Sequence, residues 1–250
     1  FSALAGLSPR LVQTQMGVMT PEGLAGALRT PYSAFPPTTL LCLENTNNDA
    51  GGAVMSSAQM AAVTGLAREH GLAVHLDGAR VFNAATALGV DVKELTQHVD
   101  SVTFCLSKAL SAPVGSLLAG SAEFIERARR ARRMVGGGLR QAGVLAAAGL
   151  VALRTMTQRL QEDHDNALAL AQGLAGIQKL GINLNTVQTN MVMVDLTGLG
   201  MDSAQVLEKM GRYGIKANPR GLIRIRLVTH RHITRQSVAR VVAALEEIAA

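Results

Sequence analysis

The chain has 250 residues, of which 48% are hydrophobic, 17% are charged and 3% are aromatic. This apolar content excludes intrinsic disorder, because enough apolar surface exists to offset the chain entropy lost on folding. Twenty-four Lys and Arg against 18 Asp and Glu give a net charge of +6, which suits anionic ligands. The chain has no Trp and few aromatic platforms, so a binder that stacks single-stranded nucleic acid is not expected.

Two cysteines, Cys42 and Cys105, lie in apolar stretches and are too few for a disulfide framework. We therefore expect a reducing compartment and a cytoplasmic location. The longest apolar run, 142–153, is shorter than the roughly 20 residues of a membrane span and is interpreted as a buried core helix. No membrane association is expected. The first residue is Phe1 rather than Met, which suggests a fragment or a processed product.

In chain order, the first 37 residues are weakly patterned apart from a short helix predicted from Thr20 onward. Strands are then predicted at 39–43, 72–76 and 101–106, and helices at 56–70 and 79–88. This alternation is typical of a parallel α/β sheet.

Beyond residue 115 the pattern becomes mostly helical and then indicates a smaller α+β unit. Helices are predicted at 122–134, 203–213 and 234–249, with two more across 139–175, and strands at 189–196 and 222–228. We therefore divide the chain into a large domain, 1–160, and a smaller C-terminal domain, 161–250.

Residues suited to chemistry follow the predicted strands. Asp77 follows the strand 72–76, Arg80 comes three residues later, and Ser107 and Lys108 follow the third strand. Ligands bind at the carboxyl ends of parallel strands. A buried lysine loses its proton easily and can bond to a carbonyl carbon. An aspartate can keep a pyridine nitrogen protonated. An arginine binds carboxylate or phosphate oxygens. The simpler interpretations are a solvated lysine and an Asp–Arg ion pair at a helix start.

Several stretches, in order along the chain, resemble one known family. They are Glu44-Asn45-Thr46, Asp77-Gly78-Ala79-Arg80, Ser107-Lys108, Gly136-Gly137-Gly138, Arg140-Gln141 and Arg226-Leu227-Val228-Thr229-His230. Together they resemble the L-threonine aldolases of the aromatic amino acid beta-eliminating lyase group, which are fold-type I pyridoxal phosphate enzymes. The resemblance implies an α/β large domain with a mainly parallel sheet, incomplete at its N-terminus, and a smaller α+β C-terminal domain.

The resemblance also implies roles in holding pyridoxal 5'-phosphate. Lys108 matches the lysine that bonds covalently to the cofactor, and Asp77 matches the partner of the pyridine nitrogen. Arg80 matches an arginine near the ring oxygen and the substrate. The Ser107 hydroxyl could reach the phosphate, and Arg140 matches a position that can reach the phosphate of a neighbouring subunit.

For the substrate, the resemblance implies that Arg226 binds the amino acid's carboxylate, with Arg224 on the same strand face as its competitor. The implied reaction is retro-aldol cleavage of L-threonine or L-allo-threonine to glycine and acetaldehyde, within threonine catabolism and glycine biosynthesis. The implied assembly is a homo-oligomer, either a dimer or a tetramer. No metal is expected, because His230 and His232 lack further ligands at suitable spacing.

The sequence departs from the family in three places. Asn47 stands where the family has a histidine, and an amide cannot act as a base near neutral pH. Ala109 follows the lysine where a glycine is usual. Nothing in 1–38 matches the family's phosphate loop or its ring-stacking histidine. We therefore expect either a piece of a longer subunit or a truncated homologue that binds the cofactor weakly.

Three other functions remain open at this point. One is a beta-eliminating lyase that acts on another β-substituted amino acid. A second is a non-catalytic remnant that folds but binds the cofactor poorly. The third is a polyanion-binding module built on the arginine-rich helix 122–134, although a solvated face or a subunit contact is the favoured interpretation of that helix.

Overall fold

The computed structural model describes residues 2–29 and 34–250. Its first sheet has four strands in the order β1-β2-β3-β4. They are β1 (Leu40–Glu44), β2 (Ala73–Asp77), β3 (Ser101–Cys105) and β4 (Ser116–Gly120). Strands β1, β2 and β3 are parallel, and β4 is antiparallel to β3. The register places Glu44 beside Asp77 and Asp77 beside Thr103, so the carboxyl ends of the three parallel strands share one edge.

Within the described residues, five α-helices accompany this sheet along the chain. They are α1 (Ser2–Ala5), α2 (Pro21–Ala27), α3 (Ser57–Glu69), α4 (Val81–Leu88) and α5 (Val92–Thr96). Ser56 and Gln59 form a capping box that begins α3, and Gly89, at φ 65°, ends α4. Met60 and Val63 of α3 pack with Leu76 of β2 in one fully buried cluster, which holds the helix on the sheet.

A second, antiparallel sheet has the order β5-β7-β6. Its strands are β5 (Met191–Asp195), β6 (Asn218–Pro219) and β7 (Arg224–Val228). Between the sheets run α6 (Ala122–Met134), α7 (Gly143–Thr155) and α8 (Leu160–Ala175), and the remaining helices are α9 (Ser203–Arg212) and α10 (Arg235–Ala249). Leu174 of α8, Val206 of α9 and Leu245 of α10 pack with the second sheet in its own buried cluster. The domain division at residue 160 stays a prediction.

The strands and helices predicted before residue 115 are confirmed to within about two residues, and α1 and α5 were not predicted. β4 was missed because the strand Ser116–Gly120 is exposed along its whole length and carries no burial pattern. β6 has only two residues and includes a proline. In both strands, pairing with the neighbouring strand in the chain, β3 or β7, replaces the missing burial pattern.

The prediction that the run 142–153 is a buried core helix is wrong. In α7 only Gly149 and Ala152 are buried, while Val144 is 81% and Val151 is 61% exposed. A helix with apolar residues on every side does not indicate which face is covered by the rest of the protein. In α7, the buried Gly149 lies against the side chain of Leu106. Cys42, at the edge strand β1, is likewise exposed rather than buried.

The arginine-rich helix α6 has no buried residue, which agrees with its interpretation as a solvated face. Among residues 2–29 and 34–250, no helix has the length and apolar character that a membrane crossing requires.

The segment 45–55, which follows β1, touches both sheets. The Thr189 hydroxyl donates to the Gly52 carbonyl oxygen at 3.0 Å, and the Val54 N–H donates to Gln188 Oε1 at 2.8 Å. A Cβ on Gly52 would lie 2.2 Å from Thr189 Oγ1, and Gly52 has φ +85°. This junction therefore requires glycine for both close approach and backbone conformation.

A second long-range contact, between α4 and α8, is fully internal. The His164 Nε2 of α8 lies 3.0 Å from the Asn83 Nδ2 of α4, and both side chains are buried. Burial lowers the pKa of His164 from 6.5 to about 4, which keeps the ring neutral and able to accept this hydrogen bond.

We expect Gly52→Ala to lower the free energy of unfolding by about 1–3 kcal/mol, because the new methyl group meets Thr189 and the positive φ is unfavourable for alanine. Gly211→Ala is the matched control, since it lies in α9 with no atom within 4 Å of its added Cβ. That control should leave stability unchanged or raise it. Urea unfolding measures both, and equal stabilities of the two variants would contradict this account of the junction.

We also expect His164 to make stability pH-dependent. Between pH 6.5 and about 4 the unfolded chain binds a proton that the folded chain does not, so stability falls as the pH drops through this range. The loss is at most about 3 kcal/mol, and stability is fully present above pH 6.5. His164→Gln should flatten this dependence, whereas His70→Gln, at an exposed position, should not. An unchanged slope in His164→Gln would refute the assignment.

Candidate active site

Acidic and polar side chains end the three parallel strands of the first sheet. Glu44 ends β1, Asp77 ends β2 and Cys105 ends β3. Asp77 is exposed, and its Oδ1 accepts a hydrogen bond from the Ala79 N–H at 3.0 Å. The turn that follows β2 therefore orients the Asp77 carboxylate at the shared edge.

Ser107 and Lys108 lie in the turn after β3, and both side chains are exposed. Burial therefore does not promote loss of the Lys108 proton in this structure, because the flanking Leu106 and Leu110 take the buried positions of this turn. The Ala112 N–H donates to the Leu106 carbonyl at 2.9 Å and closes the turn. The Lys108 amine is thus presented to solvent at the edge where Asp77 lies.

Arg80 lies between β2 and α4 and is half-buried. Its Nη1 donates to the Oδ1 of Asn48 at 3.2 Å, and burial is the main cause that lowers its pKa. Gly78 allows this tight turn, since a Cβ there would lie 2.9 Å from the Thr103 carbonyl oxygen. No Arg80–Asp77 ion pair within 4 Å forms in the part of the chain that the structure describes, so the helix-start interpretation of this pair is wrong.

Arg226 comes from β7 of the second sheet and reaches the same acceptor. Its Nη1 also donates to Asn48 Oδ1. Burial lowers the pKa of Arg226, and the positive charges of Arg220 and Arg80 lower it further. Arg224, the competitor, is exposed and stands opposite Asp195 in the register. The structure therefore brings Arg226, and not Arg224, next to Arg80.

Glu44 supports the segment that carries Asn48. Its Oε1 accepts from the Asn48 N–H at 3.2 Å, and its Oε2 accepts from the Asn47 Nδ2 at 3.0 Å. Burial raises the pKa of Glu44, and the nearby negative charges of Asp77 and Asp49 raise it further. Glu44 is therefore an acidic group that lies among the arginines at this edge without an ion pair within 4 Å to any described residue.

Asn47, which replaces the family's histidine, is held by its neighbours. Besides donating to Glu44, its side chain accepts from the Ala50 N–H at 2.9 Å, and its backbone N–H donates to the Ala53 carbonyl at 2.9 Å. The Asn47 amide therefore serves the local turn, and its chemistry offers no base near neutral pH.

The arginine cluster has unused donor capacity. The Nε atoms of Arg220 and Arg226 are buried and have no hydrogen-bond partner among the described residues. Arg220 does approach Asp49 at 3.6 Å, but the Asp49 side chain is 86% exposed. Buried guanidinium donors without partners suit the oxygens of a carboxylate or phosphate. The exposed Lys108 amine and Asp77 carboxylate suit an aldehyde and a protonated ring nitrogen, so this donor set fits pyridoxal phosphate and an amino acid.

Arg140 lies in the exposed segment between α6 and α7. No hydrogen bond or ion pair joins it to the residues at the sheet edge in the ranges that the structure describes. Within those ranges, no group of three or more His, Cys, Asp or Glu side chains is arranged to hold a metal ion.

Sequence reasoning missed Asn48 and Arg220. The polar run that follows β1 gave a signal for Asn48, since it starts at the carboxyl end of a parallel strand as Asp77 does. Arg220 had no comparable signal, because it belongs to the turn before β7 and its neighbours at the site are distant in sequence.

A cavity of about 550 Å³ borders the outer side of β1. Apolar side chains such as Leu24, Leu41 and Met55 contribute to its lining, and Glu44 and Asn47 touch it. None of Asp77, Arg80 or Lys108 lines this cavity, so we place the candidate active site at the carboxyl edge of the sheet and not in the cavity.

Solved structures share the architecture that carries this site. A threonine aldolase from Leishmania major aligns with a TM-score of 0.72 at 17% identity, over 94% of this chain and 68% of that one. A PLP-dependent aminotransferase from Streptococcus suis aligns with a TM-score of 0.70 at 19% identity, over 91% of this chain and 60% of that one. These likenesses confirm the predicted fold class.

Sequence comparisons agree with the fold. The family described as beta-eliminating lyase matches residues 1–243. A low specificity L-threonine aldolase from Escherichia coli O157:H7 is 41% identical over 244 residues, which cover 97% of this chain and 70% of the relative. The match extends over nearly the whole chain and includes the motifs that carry the resemblance. The chain therefore belongs to the beta-eliminating lyase family.

Proposed function

We propose that the chain is a pyridoxal phosphate-dependent aldehyde-lyase that cleaves L-threonine or L-allo-threonine to glycine and acetaldehyde. The observation that carries this proposal is the edge shared by β1, β2 and β3. Asp77 and Lys108 lie at this edge. Arg80 and Arg226, which share the acceptor Asn48 Oδ1, reach the same edge from the turn after β2 and from β7. The relative from Escherichia coli, which is named for the same activity, supports it.

Four residues of this edge would hold the cofactor. The Lys108 amine would bond to its aldehyde carbon, the Asp77 carboxylate would pair with its ring nitrogen, and the Ser107 hydroxyl would bind its phosphate, with Arg80 near the ring oxygen. In a homo-oligomer, the exposed Arg140 of a neighbouring subunit could add a contact to the phosphate. When bound, pyridoxal phosphate supplies an electron sink for the pair of electrons released by the broken Cα–Cβ bond.

The residues of the chain would orient the amino acid for this cleavage. Arg226 and Arg80 would bind the carboxylate oxygens and hold the Cα–Cβ bond in one orientation. When the amino acid's own amine takes its place on the cofactor, the freed Lys108 amine at the same edge would deliver a proton to Cα after the Cα–Cβ bond breaks. Asn47 would not take the proton of the β-hydroxyl, because its amide is held by Glu44 and Ala50 and is not a base.

A homo-oligomeric assembly and a cytoplasmic location are further parts of this proposal. The exposed apolar side chains of α7, including Val144, Leu150 and Val151, are compatible with a contact to another subunit.

We expect Lys108→Ala to lower the rate of threonine cleavage by about 10³-fold or more, because the amine that bonds to the cofactor is lost. It should also abolish the visible absorption of the cofactor bound to the protein. Lys93→Ala, at an exposed lysine of α5, is the control and should keep both the rate and the absorption. A Lys108→Ala protein that keeps the absorption band would exclude Lys108 as the covalent partner.

The products separate this function from its alternatives. We expect the purified protein with added cofactor to form glycine and acetaldehyde in equal amounts from L-threonine. Pyruvate and ammonia from L-serine or cysteine derivatives would instead identify a beta-eliminating lyase. Protein that shows no absorption of bound cofactor after unbound pyridoxal phosphate has been removed would favour the non-catalytic remnant. Binding to polyanions that depends on salt and on α6 would favour the polyanion module.

A further inference from the structure

We propose that Asn48 is a positioning residue that holds Arg80 and Arg226 together as one carboxylate-binding pair. The proposal rests on the proposed function of this site, and it adds a residue whose role none of the motifs indicated. Asn48 lies in segment 45–55, the segment that touches both sheets.

The side-chain oxygen of Asn48 is shared between the two arginines. Arg80 comes from the end of β2 and Arg226 from β7, and each donates an Nη1–H to Asn48 Oδ1. Glu44 holds Asn48 from the other side, since its Oε1 accepts the Asn48 backbone N–H at 3.2 Å. One amide therefore connects two guanidinium groups, one from the turn after β2 of the first sheet and one from β7 of the second sheet.

Two half-buried guanidinium groups repel each other. Burial is the largest cause that lowers the pKa of Arg226, and the positive charges of Arg220 and then Arg80 lower it further. A shared acceptor offsets part of this repulsion. Because an amide oxygen is neutral, both arginines keep their full charge for an incoming anion. The buried Nε of Arg226, which has no partner among the described residues, shows that donor capacity remains.

A carboxylate at position 48 would act differently. It would form ion pairs with both arginines and take the place that the carboxylate of an amino acid needs. The neutral amide is therefore essential to the pair: it sets the spacing of the arginines without cancelling their charge. Asp49 does not substitute for it, because Asp49 is highly exposed and, among the described residues, comes within 4 Å of the guanidinium of Arg220 but not of Arg80 or Arg226.

The test compares Asn48→Asp and Asn48→Ala in the holoenzyme, with Gln236→Glu as a control that makes the same amide-to-acid change at an exposed position of α10. We expect Asn48→Asp to raise KM for L-threonine by about 30-fold or more, since a charge-assisted contact to the substrate is lost. Asn48→Ala should raise KM by about 3- to 10-fold, because the arginines separate without becoming neutralised. In both variants kcat should change by less than about 3-fold.

A second measurement separates positioning from general damage to the site. Glycine and 2-aminoethanol share an amine, but only glycine has a carboxylate. Calorimetric titration should show weaker binding of glycine to both Asn48 variants and unchanged binding of 2-aminoethanol. Equal losses for the two ligands, or a KM of Asn48→Asp equal to that of Gln236→Glu, would overturn the proposal. If Asn48→Asp does not fold, Asn48→Ala decides the question alone.

The same titration distinguishes failure of this proposal from failure of the proposed function. In one outcome, the wild-type protein does not cleave threonine but binds glycine more tightly than 2-aminoethanol, and the Asn48 variants lose this preference. That outcome would refute the proposed function and keep the inference about Asn48. A wild-type protein that cleaves threonine, with both Asn48 variants matching it in KM and glycine affinity, would keep the function and refute the inference.

Discussion

The parallel register of β1, β2 and β3 is the constraint on which the rest of this structure depends. Backbone hydrogen bonds place Glu44, Asp77 and Thr103 side by side, so whatever follows each strand emerges at the same edge. The turn with Lys108 follows β3 and the turn with Arg80 follows β2. No long-range contact between these turns is needed to gather their side chains, because the sheet itself does so.

The second constraint is the segment 45–55, which brings the antiparallel sheet to this edge. Its contacts with Thr189, Gln188 and Arg226 join parts of the chain that are more than 130 residues apart. The junction also concentrates positive charge: besides burial, Arg220 lowers the pKa of both Arg80 and Arg226, and Arg80 lowers the pKa of Arg226. A cluster of half-buried cations where the two sheets meet is unfavourable for folding, and its unused hydrogen-bond donors suit an anionic ligand.

The sequence was sufficient for features that have local patterns. Asp77, Arg80 and Lys108 could be singled out because each directly follows a recognisable strand, and the alternation of strands and helices predicted the α/β class. The choice of Arg226 over Arg224 rested on the resemblance alone, because both share one strand face and only the neighbouring loop distinguishes them. The role of Asn48 and the exposure of α7 depend on which surfaces meet, and a local pattern does not record this.

The central claim is that the Lys108 amine, at the same sheet edge as Asp77, is the group to which pyridoxal phosphate bonds. The most direct measurement is reduction of the cofactor-loaded protein with borohydride, followed by digestion and mass spectrometry of the peptides. The account predicts that the cofactor's mass is found on the peptide containing Lys108 and at that residue. A cofactor attached to Lys93, Lys179 or another lysine, with Lys108 unmodified, would contradict it.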